Sequence, residues 1–170
     1  MKTLKKISFT LLVLLFTISC KKDDLPKATQ EGKNMMAAKI DGKTWIKTAC
    51  WSCIGAGSGL SASYGNNFFS TRGEQFINKD NNNSVIGIFL VGNKLDEYFA
   101  NGGTNFIEFN DYAHNKFYIT TKLSTGTITV TKLDFLKKII SGTFNGKVEN
   151  KNDSNDIVSI TDGRFDVTFN

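Results

Sequence analysis

Cys50-Trp51-Ser52-Cys53 is the stretch best equipped for chemistry. Two thiols at this spacing can form a redox pair, supply half of a zinc site, or close a disulfide. A thioredoxin-like pair needs its first thiolate stabilised at a helix N-terminus in a βαβ context. Here a β-prone run precedes Cys50, and Gly55, Gly57 and Gly59 follow Cys53 where that helix would start. Zinc needs four ligands, and the distant His114, the one histidine, leaves the set incomplete. The expectation is a structural Cys50–Cys53 disulfide, with no metal and no cofactor. In a straight strand these residues would lie about 10 Å apart, beyond the roughly 7 Å that a disulfide can bridge. Trp51 and Ser52 must therefore turn the chain.

The other titratable groups carry weaker signals. His114 falls between two β-prone segments, and no Gly-x-Ser-x-Gly marks a nucleophile for it to activate. It reads as an exposed loop histidine. Glu108 and Asp111 are the carboxylates a glycan hydrolase would use, provided they face each other across a cleft. Asn150, Asn152, Asp153, Asn155, Asp156 and Asp162 offer hard oxygens of the kind that hold Ca²⁺. They lack EF-hand spacing, and Asn and Asp also build hairpin loops. The glycine-rich stretch from Cys50 to Asn67 has no following Gly-Lys-Ser/Thr, so it reads as an irregular surface loop rather than a phosphate cradle.

The elements that must position these groups are strands. Asp41-Gly42 between Met36–Ile40 and Lys43–Ala49 predicts a type I′ hairpin, with Trp45 anchored in the core. Phe68–Ser70 and Glu74–Asn78 read as short strands, and Ser84–Val91, apolar on both faces, as a central one. Lys94–Ala100 suits one helical turn, and Thr104–Phe109 a strand. Period two then recurs four times: over Lys116–Leu123, Phe117, Ile119, Thr121 and Leu123 alternate with Lys116, Tyr118, Thr120 and Lys122; Ile128 and Val130 with threonines; Ile140, Phe144 and Val148 with polar residues; Phe165, Val167 and Phe169 with Arg164, Asp166 and Thr168. Asp162-Gly163 supplies another turn. An all-β antiparallel sandwich or partly closed barrel follows, as a single domain over residues 34–170.

The first residues say where this domain goes. Lys2, Lys5 and Lys6 precede an apolar run, Ile7–Ile18, too short for the roughly 20 residues of a membrane-spanning helix. That pattern is a signal peptide, residues 1–19. Thr17-Ile18-Ser19-Cys20 resembles a bacterial lipobox, with Thr17 where Leu is usual. The resemblance implies diacylglycerol on Cys20, and two or three acyl chains anchor stably. Residues 20–33 read as the lipidated cysteine and a flexible tether, at most about 45 Å long. Lys21-Lys22-Asp23-Asp24 is similar to the export signal of Bacteroidota surface lipoproteins, with Lys22, Asp23 and Asp24 as the residues read. Ala38-Lys39-Ile40-Asp41-Gly42-Lys43-Thr44-Trp45, Ile139–Phe144 and Ile160–Val167 look like the two ends of an uncharacterised Bacteroidota lipoprotein family. That family is a β-rich domain of unknown function and implies no catalytic residues.

Charge narrows the partners. Of 21 basic residues three lie in the leader, while all 16 acidic ones follow it. The near-neutral remainder has no footprint for nucleic acid. Two functions stand. One is an outer-membrane lipoprotein facing the cell exterior that binds a glycan or a protein, or has a structural role in the envelope, without catalysis. The alternative is an envelope hydrolase acting on glycans through Glu108 and Asp111.

Overall fold

The computed structural model describes residues 25–49, 57–76 and 83–170. They form β1 (Met35–Ile40), β2 (Lys43–Ile46), β3 (Leu60–Gly65), β4 (Phe68–Gln75), β5 (Ser84–Val91), β6 (Glu97–Ala100), β7 (Phe106–Asp111), β8 (Lys116–Ile119), β9 (Gly126–Asp134), β10 (Ile139–Asn150) and β11 (Asp153–Thr168), and no helix among the described residues. All pairings are antiparallel, in the order β2-β1-β11-β10-β8-β7-β5-β4-β3, with β9 also on β10 and β6 on β9. Strand β10 divides the sheet. Its residues Ile139 to Gly146 pair with β9, whereas Glu149 and Asn150 pair with β8. One edge of β10 thus serves two strands, and the layers part there and fold face to face. Phe69 of β4 stacks on Phe165 of β11 at 5.9 Å. Strands β2 and β3 remain the two ends of the path. The all-β expectation holds in its sandwich-like form, with no closed barrel.

Period-two patterning places most of the core. Ile128, Val130, Ile140, Phe144, Val148, Phe165, Val167 and Phe169 are buried, as is Trp45. Strand β5 lies between β4 and β7, buried on both faces. Asp41 and Gly42 adopt φ of 48° and 77°, the positive pair that a type I′ turn needs.

Four local expectations are corrected. The strand expected over Lys116–Leu123 ends at Ile119, and Leu123 beyond it is exposed; within β8 it is Tyr118 that is buried, while Phe117 and Ile119 are only half-buried, because both parities carry large side chains and the Tyr118 hydroxyl has a partner waiting in Asp156. The Lys94–Ala100 helical turn is instead β6, paired residue by residue with β9, because cross-strand pairing outweighs local propensity. The stretch read as a loop up to Asn67 contains β3, whose Leu60, Ala62 and Tyr64 pack on the core between exposed residues. Asn66 and Asn67 form its tight turn, with φ of 52° and 62°, into an unbroken β4. Finally, Asp162-Gly163 is a bulge inside β11. Ala38 faces both residues across β1, and Asn145 faces Thr161 and Asp162 across β10. Asp162 takes φ 53° there, which Asp tolerates, and Lys39 Nζ holds its carboxylate at 2.8 Å. A side chain on Gly163 would run into the carbonyl and ring of Phe144.

Residues 25–33, expected as part of a flexible tether, pack against the domain. From Leu25, itself buried, the chain lies against β11. Arg164 Nη1 donates to the Pro26 carbonyl at 2.9 Å, and Asn34 Oδ1 accepts from Thr168 N at 2.9 Å. Between them the segment wraps around Asp166, a fully buried carboxylate. Asp166 accepts from Thr29 Oγ1 at 2.6 Å, Ser141 Oγ at 2.7 Å, Gly32 N at 2.8 Å, and Glu31 N and Lys33 N at 3.1 Å each. Burial pushes this carboxyl up, but the hydroxyls of Thr29 and Ser141 with the amides of Lys33 and Gly32 outweigh it and hold it at about 2.

Candidate functional site

Two hairpins project at the end of the sandwich remote from the β9–β10 turn. The β1–β2 hairpin is fixed by Asp41, whose amide donates to the Ser159 carbonyl at 2.9 Å and whose Oδ1 accepts the Ser159 amide at 2.8 Å. The β7–β8 hairpin turns at Tyr112–Asn115, with Asn115 at φ 53°. Between them lies an open cleft of about 780 Å³. Trp45, Phe109 and Tyr118 supply its aromatic floor, and Phe109 and Tyr118 stack at 5.8 Å. Lys43, Thr44, Gln75, Asn83, Ser84, Asp111 and His114 supply polar groups around it.

The floor is tied across the two layers. Trp45 Nε1 donates to Ser84 Oγ at 2.8 Å, and Ser84 Oγ donates weakly to Gln75 Oε1 at 3.5 Å. Below the Lys116 side, Asp156 gathers Lys116 Nζ at 2.8 Å, Asn150 Nδ2 at 3.0 Å and the Tyr118 hydroxyl at 3.2 Å. Lys116 and then Asn150 hold the Asp156 carboxyl below its ordinary range. Burial, and then Asp156, push the Tyr118 phenol up. Asn83 is different: its Nδ2 donates to Glu74 Oε1 at 3.2 Å, but its buried Oδ1 has no donor.

The sequence-nominated groups do not converge. His114 Nδ1 lies 2.8 Å from Asp111 Oδ2 on the cleft rim, and its side chain is 71% exposed. Glu108, three residues before Asp111 on β7, points to the opposite face of the sheet. There it leans over Gly87, 4.0 Å from Arg72 Nη1. The acid pair required by a glycosidase is therefore not assembled from these two. The Asn/Asp-rich turn uses its oxygens internally: Asn150 accepts from Asn152 N, Asp153 from Asn155 N, and Asp156 is engaged as above. Among the described residues no three His, Cys, Asp or Glu side chains gather as metal ligands. Cys20, Lys22, Asp23, Asp24, Cys50 and Cys53 lie outside the described residues.

Sequence reasoning passed over Lys43, Gln75, Asn83 and Ser84. The one available signal is Asn83-Ser84 immediately before the apolar run of β5, which places polar groups at the mouth of a central strand. No protein-family model, no curated protein and no solved structure matches the chain.

Proposed function

We propose that the chain is an outer-membrane lipoprotein, acylated at Cys20 and displayed outward through Lys22, Asp23 and Asp24, whose β-domain binds a glycan in the cleft without converting it. The observation that carries the binding reading is the cleft itself, about 780 Å³, with Trp45, Phe109 and Tyr118 at its floor and Lys43, Thr44, Asp111 and His114 around it. An aromatic floor with scattered polar groups suits the apolar face and hydroxyl rim of a sugar. The hydrolase alternative finds less support, since Asp111 lines the cleft and Glu108 does not. The Cys50–Cys53 disulfide and the kinship to Bacteroidota lipoproteins belong to this same reading and rest on the sequence.

Two measurements test it. The mass of protein extracted from membranes should correspond to a chain beginning at Cys20 plus acyl groups. A soluble chain with a free Cys20 thiol would overturn the anchor. Applied to an array of neutral and acidic oligosaccharides, the protein should retain a subset. A Lys43→Ala, His114→Ala double variant should weaken that retention by about tenfold, the loss of polar groups that line the cleft. An array with nothing retained, or equal retention by the variant, would count against the glycan.

A further inference from the structure

The β9–β10 turn carries an apolar tip that the core does not use. Asp134 Oδ1 accepts the amides of Leu136 and Lys137 at 3.1 and 3.0 Å, which fixes the turn. Phe135 packs edge-on against Tyr64 at 5.3 Å yet stays 53% exposed, and Leu136 is 98% exposed. Lys132, Lys137 and Lys138 flank the pair, with Asp134 as the one acid in the turn. A leucine held out by a rigid turn inside a collar of lysines fits a bilayer interface. The apolar side chains enter the acyl boundary while the ammonium groups meet anionic headgroups.

Position and reach agree with this. The tip adjoins Ile139 and Thr168, at one end of the β10–β11 ladder, whereas the cleft adjoins Val158 and Asp41. From Val158 to Thr168 the strand covers about 33 Å. The chain is fixed from Leu25 onward, so Cys20 lies at most about 18 Å from Leu25. The contact of Pro26 with Arg164 places that segment about 13 Å from Thr168 along β11. A lead of that length covers the distance, so the anchor allows the tip's end of the domain to meet the lipid.

We infer that the Phe135–Leu136 tip rests in the anionic interface of the membrane that carries the anchor, and directs the cleft away from it. This rests on acylation of Cys20. The test uses the acylated protein reconstituted in vesicles containing phosphatidylglycerol and lipids brominated on their acyl chains. A tryptophan is introduced by Leu136→Trp or, as control, by Leu123→Trp. Leu123 is 92% exposed and precedes Gly126 at the other end of β9. Taken as the difference from the parent, which carries Trp45 and Trp51, the added emission at 136 should be quenched by bromine severalfold more than that at 123. Adding Lys132→Ala, Lys137→Ala and Lys138→Ala to the Leu136→Trp protein should remove most of the difference. Equal quenching at the two sites of vesicle-bound, acylated protein would overturn the tip alone. Protein that lacks acyl mass and leaves the vesicles would overturn the lipidation reading and the inference with it.

Discussion

Asp166→Ala should lower the unfolding free energy by about 3–5 kcal/mol, because truncation leaves three amides and two hydroxyls without their shared acceptor. Its denaturation midpoint should fall with an unchanged denaturant slope. The segment from Leu25 to Asn34 should also come away from β11, so trypsin should cut at Lys27 and Lys33 in the variant and spare them in the parent. The acid limb gives an independent readout. With the folded carboxyl at about 2 and the unfolded one near its usual value of about 3.9, this group's stabilisation is complete above roughly pH 5. It is lost as the pH falls from about 4 towards 2, and amounts to about 2 kcal/mol. The parent should lose that amount across the window and the variant should not. A variant within about 1 kcal/mol of the parent, or parallel acid profiles, would refute the latch.

Trp45→Ala should be comparably severe, at about 3–5 kcal/mol, since it empties a large, nearly enclosed indole site at the junction of the two layers. Trp45→Phe separates packing from hydrogen bonding. It keeps most of the apolar contact and gives up the donor to Ser84, for a loss of about 1–2 kcal/mol. Circular dichroism melts in urea would rank the three proteins. If Trp45→Phe proved as damaging as Trp45→Ala, the indole N–H rather than its packing would dominate. A Trp45→Ala protein within about 1 kcal/mol of the parent would remove Trp45 from the framework altogether.

What the chain revealed beforehand depended on how local each determinant is. The Asp41-Gly42 hairpin was legible because two adjacent residues dictate it, and β10 because its alternation is unambiguous. The phase of β8 is ambiguous because Phe117 and Tyr118 both suit burial, and only Asp156, far along the chain, decides between them. Strand β3 hid among glycines and serines, its Leu60, Ala62 and Tyr64 too sparse to show a stripe. The polar run before β1 resembled a free tether because its ordering partner, Asp166, lies more than a hundred residues later. The cleft was least legible of all. Its residues come from seven strands and the segments between them, and no short spacing could unite Lys43, Asn83 and His114.

The pairing of Met35 with Asp166 also governs when this protein can become complete. Among the described residues the first strand waits for the last, and β11 in turn must have β10 beside it. Contacts so distant along the chain make assembly slow. On the proposed export route, the opening hairpin leaves the translocation channel with its long-range partner still inside. Strand β11 therefore acts as a timing element: closure of the layer, and with it the seating of the Leu25–Asn34 segment, follows its emergence. A chain stalled before Ile160 would present the β1 edge unpaired, open to capture by a chaperone or by another unfinished copy.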